Sequence, residues 1–312
     1  MYNTSTQKKR WTFESQDAVD RKREDTLRLF REKNASMMPT GSADDPLFFN
    51  LHDEKLFLKI VTCTSQLFGE EFKPPMWPSV KWMAQAYFKR FFLRHSAMEY
   101  SPKNIVMACF YVAAKVEEFN VSIDEFLRNF KTGTTETNMD TVLSLEPVVM
   151  MAMDCDLIVH TPYRAFEGHL LDMKSTLFLA DNFDFEEVRP YSYQFFSKAM
   201  IGDAMFLYPP TQIALAGVKY GLDQLEKSEE VIKEFLHTLL KKERSYSGDD
   251  DPVVAGLLSR LDELVNYVIT AAMDLTDKDK EYVKHKFASY AFHQSKRRTP
   301  PGSVDSENSD DE

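Results

Sequence analysis

The chain has 312 residues, with 38 basic and 49 acidic side chains, a formal net charge of −11, and 43% hydrophobic against 28% charged residues. That balance excludes a wholly disordered chain, and the length suits two domains at roughly 100–200 residues each. Five of the acids and none of the bases fall in the last ten residues, which leaves a body of 38 basic and 44 acidic side chains; it lacks the broad positive footprint of a protein that follows nucleic-acid phosphates, so no direct nucleic-acid partner is expected.

Only ten glycines occur, strand-like alternation is almost absent, and amphipathic stretches are separated by Pro, Ser, Thr, Asn and Asp, which predicts an all-α fold. Residues 1–13 read as a flexible arm. Glu14 to Lys33 predicts an exposed helix anchored by Val19, Leu27 and Phe30, and Asn34 to Pro46 a linker. Helices follow over His52–Phe72 and Ser79–His95, the latter with an apolar face of Val80, Met83, Ala84, Tyr87, Phe88 and Phe91. Ser101 caps the next helix and Pro102 occupies its first turn, where a missing N–H costs nothing. Its stripe is Ile105, Ala108, Cys109, Val112, Val116 and Phe119. Ser122 to Glu125 is a capping-box pattern that opens a short helix. A fifth helix over Asn138–Asp154 has the stripe Met139, Val142, Leu143, Val149, Met150 and Met153.

Tyr100-Ser-Pro102-Lys-Asn-Ile105 then recurs as Tyr208-Pro-Pro210-Thr-Gln-Ile213, and the preceding helix follows the same offset, Val80 with Val188 and Phe88 with Phe196. An internal repeat of this length points to two copies of one helical unit. The second copy predicts helices near Tyr163–Lys174, Glu186–Phe206, Thr211–Leu225, Ser228–Lys242 and Val253–Met273, with a loop over Ser247–Pro252. The expected organisation is an N-terminal arm, helix and linker (1–50), two tandem five-helix repeats (51–160 and 161–275), a C-terminal helix (276–293) and a disordered acidic tail (294–312).

No phosphate-cradling glycine loop, nucleophile elbow, kinase catalytic motif or H-E-x-x-H pattern occurs. His160 and His169 stand alone without metal-ligand spacing, and Glu117-Glu118 reads as a solvated helix end. Three cysteines, Cys63, Cys109 and Cys155, are too few for a disulfide framework and read as buried thiols in a reducing compartment. The N-terminus lacks the apolar core of a signal peptide, and the longest uncharged run, Ala204–Val218, is broken by Pro209-Pro210 well short of the ~20 apolar residues that span a bilayer. A soluble, intracellular, non-catalytic interaction protein is expected, with no metal, no cofactor and no membrane contact.

Two charges interrupt apolar faces. Lys115 lies at the edge of the third helix's face, and Glu146 lies within the fifth helix's stripe. The plain reading is that both are solvated. The sharper one is an apolar groove with a Lys and a Glu aimed at another chain's backbone, because a charge on such a face must find partners.

These residues sit in a familiar setting. Ala113-Ala-Lys115-Val-Glu-Glu-Phe119 resembles the A-x-K-x-E-E segment of the cyclin family, and Glu146, Met150 and Leu157 match the fifth-helix pattern of that family's box. Tyr87-Phe-Lys-Arg-Phe91, Glu118-Phe-Asn-Val-Ser122 and the run Leu157 to Gly168 extend the likeness over most of the chain. The resemblance implies two cyclin-box repeats. It also implies a regulatory subunit of cyclin-dependent kinase 7 that works with a RING-finger assembly factor in the nuclear CDK-activating kinase and with the TFIIH core. Such a complex phosphorylates kinase activation loops and the C-terminal repeat of RNA polymerase II. By the same resemblance, Lys115 and Glu146 bond the main chain around the kinase's αC helix, and Val112, Val116, Met150 and Leu157 line a pocket for one of its apolar side chains. Another transcriptional cyclin, or a TFIIB-like DNA-binding use of the two repeats, remain the alternatives. Pro147 departs from the pattern: it predicts a kink or restart in the fifth helix and leaves the aim of Glu146 open. Met76 to Trp82 does not resemble the substrate-docking patch of cell-cycle cyclins. Lys8-Lys-Arg10 and Lys296-Arg-Arg298 are candidate import signals, and Thr299, Ser303, Ser306 and Ser309 candidate phosphorylation sites.

Overall fold

The computed structural model describes residues 2–177, 183–227, 229–241 and 251–298, and among them every regular element is a helix. The acidic tail with Thr299, Ser303, Ser306 and Ser309, and most of the expected Ser247–Pro252 loop, lie outside the described residues. Among the described residues no helix is long and apolar enough to cross a membrane. The N-terminal elements are α1 (Thr6–Arg10) and α2 (Gln16–Asn34). The first repeat holds α3 (Leu51–Glu71), α4 (Pro78–Phe91), α5 (Pro102–Val116), α6 (Ile123–Leu127) and α7 (Thr135–Ala152). The second holds α8 (Pro162–Thr176), α9 (Arg189–Ala199), a short α10 (Ala204–Leu207), α11 (Pro210–Gln224), α12 (Glu229–Leu240) and α13 (Pro252–Ala271), and α14 (Asp277–Arg298) closes the series.

Local chemistry starts these helices. Pro stands in the first turn of α4, α5, α8, α9, α11 and α13, where its fixed φ suits the helix and no donor is lost. Capping boxes open α3 with Asn50 and Asp53 and α6 with Ser122 and Glu125. The Ser101 side chain makes no cap bond, so the start of α5 rests on Pro102.

The repeat is real in three dimensions. α5 and α11 have equal lengths, and both their ends keep the offset that relates Tyr100 to Tyr208. Each is the central helix of its unit, α5 packed on α4 and α7, and α11 on α8, α9 and α13. Ala108 and Ala216 are fully buried, as close packing of a central helix requires. Gly217 serves the same end, since a Cβ there would stand 2.5 Å from the Phe196 ring.

Several expectations need correction. Residues 2–13 form an ordered strap, not a flexible arm. Trp11 is buried between the guanidinium groups of Arg90 and Arg94, each 4.9 Å from its ring centroid, and its indole N–H donates to Asp156 at 3.0 Å. The His160 N–H donates to Gln7 Oε1 at 2.6 Å, and the Phe13 N–H to the Phe206 carbonyl at 2.8 Å. A spacing argument misses this because the strap's partners lie far along the chain, at the end of α4, after α7 and in α10. The expected Glu186–Phe206 helix is divided into α9 and α10 by a turn at Ile201-Gly202-Asp203, which sends Asp203 inward. α14 runs on through the expected start of the tail to Arg298. Cys109 is buried and Cys63 partly so, but Cys155 is exposed, because it lies in a left-handed turn after α7 (φ +57).

Asp203 ties α2 to the second repeat. Arg23 of α2 donates two bonds to it, at 2.6 and 2.7 Å, and both side chains are buried. Burial alone would raise the Asp203 carboxyl, but the Arg23 charge overrides it and holds the group well below the usual carboxylate range. Gln16 and Tyr267 complete the network. At the other terminus Tyr282 donates to Asp53 at 2.8 Å. Tyr290 joins Leu27, Met38, Phe48, Phe49 and Met98 in a separate apolar cluster.

Candidate partner-binding groove

The predicted site residues lie on α5, on α7 and in the turn after α7. Lys115 lies in the last turn of α5, where the helix dipole favours a cation. It forms an ion pair with Glu146 of α7, and its ammonium also sits 4.6 Å from the Tyr111 ring centroid. The two charges are therefore neither simply solvated nor turned away from each other. The Lys115 side chain is 44% exposed and that of Glu146 19%, so each remains within reach of another chain.

Val112 is buried, whereas Val116, Met150 and Leu157 are half-buried around the pair. The ion pair brings Lys115 and Glu146 together; Val112 and Val116 share α5 with Lys115, Met150 shares α7 with Glu146, and Leu157 lies in the turn after α7. Pro147 lies inside a helix that is continuous from Thr135 to Ala152. It can supply no N–H to the Leu143 carbonyl one turn back. Leu143 is 43% exposed, so water can take that place, and Glu146 still reaches Lys115.

Leu143 is a correction. The expected stripe buries it, yet the buried face of α7 is Val142, Val149 and Ala152. Leu143, Met151 and Ile158 are exposed instead. Spacing alone does not single out Met151 or Ile158 as exposed apolar residues. The available signal was that the segment is apolar on more than one face, with Leu143 next to Val142 and Met151 next to Met150, and carries few charges to cover the outer one.

The turn that delivers Leu157 and Ile158 is held from behind. Arg94 donates to the Ala152 carbonyl at 3.0 Å and to Asp154 at 2.8 Å, which caps the end of α7. Arg90, only 2% exposed, donates to the Asp156 carbonyl at 2.8 Å, and burial draws its pKa down to about 10. Tyr87 donates to the Leu157 carbonyl. Trp11 stacks over both arginines, so the N-terminal strap helps to set the groove. The sequence signal for this support was Arg90, which follows Tyr87 at helical spacing on the apolar face of α4. Among the described residues no group of three or more His, Cys, Asp or Glu side chains is gathered as for a metal ion. The arrangement is suited to gripping a polypeptide: an apolar floor and flank for a side chain, with one donor and one acceptor for main-chain groups.

Two family profiles match the chain, "Cyclin, N-terminal domain" over residues 75–158 and "Cyclin C-terminal domain" over residues 161–299. The Xenopus laevis protein named Cyclin-H is 36% identical over 223 residues, which is 70% of this chain and 67% of the frog protein. The Arabidopsis thaliana protein Cyclin-H1-1 is 29% identical over 216 residues, covering 68% of this chain and 60% of the plant protein. Among solved structures, a chain of the yeast TFIIK (Kin28/Ccl1/Tfb3) complex superposes with a TM-score of 0.64 at 24% identity, over 86% of this chain and all of that one. A chain of the Chaetomium thermophilum CAK complex bound to ATP-gamma-S gives 0.75 at 20% identity, over 100% and 97%. At these identities the structural likeness establishes a shared fold.

Proposed function

Because the chain belongs to the cyclin family, we propose that it is the non-catalytic regulatory subunit of a cyclin-dependent kinase 7-type kinase. In this reading it acts in a nuclear CDK-activating kinase together with a RING-finger assembly factor, and through TFIIH in transcription. The complex would phosphorylate activation loops of other cyclin-dependent kinases and the C-terminal repeat of RNA polymerase II. The frog relative's name and the TFIIK and CAK titles of the structural neighbours support the choice of kinase. Residues 51–160 and 161–275 are taken as the two boxes.

The observation that carries the reading is the exposed Lys115–Glu146 pair over an apolar seam. The kinase's αC helix lies against that seam. Lys115 donates to, and Glu146 accepts from, main-chain groups at the helix end, while an apolar αC side chain enters between Val116, Met150 and Leu157 above Val112. The groove binds the inward position of αC more tightly than the outward one, which is the differential affinity that any population shift requires. Held inward, αC brings its Glu to the ATP-positioning Lys of the kinase.

The test is the double variant Lys115→Ala, Glu146→Ala, purified and titrated against the kinase. A loss of about 10- to 100-fold in affinity, with activation falling in step, is expected for a desolvated charged pair at an interface centre. Full activation at unchanged affinity would overturn the assignment of the groove.

A further inference from the structure

A second recess lies at the three-way joint of α2, the first repeat and the second repeat, and it shares no residue with the groove. Its volume is about 890 Å³, within the range of small-molecule sites. Gln16 and Arg23 reach it from α2, Leu51 to Lys59 from α3, Lys89 from α4, Ile201 to Asp203 from the turn before α10, and Glu263 to Ala271 from α13.

The charges on its wall do not cancel. Arg23 is taken by Asp203, and Lys55 by Asp20 at 2.7 Å. Lys89 and Lys59 have no carboxylate at ion-pairing distance among the described residues. Lys89 is 7% exposed and donates only to the Ile201 carbonyl at 3.0 Å; Asp203 acts on it from further off but bonds Arg23. Lys59 donates to the Met273 carbonyl at 2.8 Å; the nearby Asp279 bonds Thr276 instead. A buried ammonium with one neutral acceptor is costly to keep charged, and burial draws the pKa of Lys89 down to about 8. Both side chains line the recess, and both act on the Cys63 thiol, where Asp274 acts with the opposite sign. The one carboxylate on the wall left without a basic partner, Glu263, lies toward Tyr208. The rest of the wall is largely apolar, with Leu56, Leu58, Ile201 and Ala271.

We propose that this recess binds a small, free amphiphilic anion, with its carboxylate or phosphate head on Lys89 and Lys59 and its apolar body along Leu58, Ile201 and Ala271. Such a head supplies the charge-assisted bonds that Lys89 lacks. A ligand seated there touches α2 and both repeats at once. It binds only the assembled joint and stabilises it by mass action. The effect is independent of the kinase reading, because no groove residue takes part.

The experiment uses the full chain and octyl phosphate below its micelle concentration, followed by calorimetric titration and by thermal unfolding. Saturable binding at one site and a raised melting temperature are expected. Lys59→Glu at the half-exposed rim and Thr270→Trp at the mouth should each weaken binding about tenfold or more, each compared with its own ligand-free melting. Lys89→Met tests the buried head contact directly, and the two rim variants decide the matter if it does not fold. Inorganic phosphate and octylammonium should bind at least about tenfold more weakly than octyl phosphate. The proposal is overturned by an absence of binding, by binding that survives both rim variants, or by equal affinity for inorganic phosphate or octylammonium.

Discussion

The two repeats place a lysine across the same seam, between the central helix and the last helix, and face opposite charges outward. In the first, the Lys115 ammonium is 44% exposed and its acid is the more covered partner. In the second, Lys219 of α11 is 9% exposed and holds Asp223 at 3.1 Å and Asp262 of α13 at 2.8 Å, whose side chains are 43% and 49% exposed. By the repeat offset, the residue equivalent to Lys115 is an acid, Asp223. Apolar flanks differ as well: α7 and the turn after it expose Leu143, Met151 and Ile158, whereas α13 and the turn after it expose Val253, at the helix start, and Met273. One seam offers an apolar surface with a free-reaching cation and anion. The other is locked by a nearly buried cation under two solvated acids. A duplicated fold thus keeps its packing and changes what its surface can hold.

The comparison is sharpened first at the Arg23–Asp203 pair, which ties α2 to the second repeat. Asp203→Ala leaves the buried Arg23 with only Asp20, at 3.4 Å, and should destabilise the chain by about 3 kcal/mol in urea denaturation. A cost below about 1 kcal/mol would show that the repeats do not depend on this pair. Next in size is the loss of kinase affinity in the Lys115→Ala, Glu146→Ala variant, up to about 2.7 kcal/mol for 100-fold. Its own stability should change by no more than about 1 kcal/mol, because the pair is partly exposed. Equal loss of kinase affinity in Lys219→Met would break the functional contrast between the seams.

The third prediction concerns pH. Glu54 is buried in the first repeat, and the residue equivalent to it by the repeat offset is Pro162, so the second repeat has no matching acid. Burial raises the Glu54 carboxyl to about 7, against the bonds it accepts from the Ala97 N–H and Ser96. The native state therefore holds a proton between about pH 4.5 and 7 that the unfolded chain has released, and stability falls as pH rises through that window. Glu54→Gln should be more stable than the parent by about 2 kcal/mol at pH 8 and nearly equal to it at about pH 5. Parallel stability–pH curves for the two proteins would remove Glu54 from the account. The smallest effect is Lys219→Met, which should cost about 1 kcal/mol, as its acids can return to water.

Much of this was legible from residue order alone. The periodicity of α4 and α5, the Pro starts, the Ser122 capping box and the internal repeat all report local chemistry, and local chemistry is what adjacent residues record. So were the two out-of-place charges, because Lys115 and Glu146 each break an apolar face within one helix, although their pairing was not. The facing of α7 was not: Val142 and Leu143 are equally apolar, and only the position of α5 selects which is covered. Nor were the strap around Trp11, the Arg23–Asp203 joint or the recess beside Lys89. Each depends on groups far apart in the chain, and an amphipathic pattern says that a face will be covered without saying by what. Tertiary packing made that choice, by bringing a buried charge to the partner able to meet its desolvation cost.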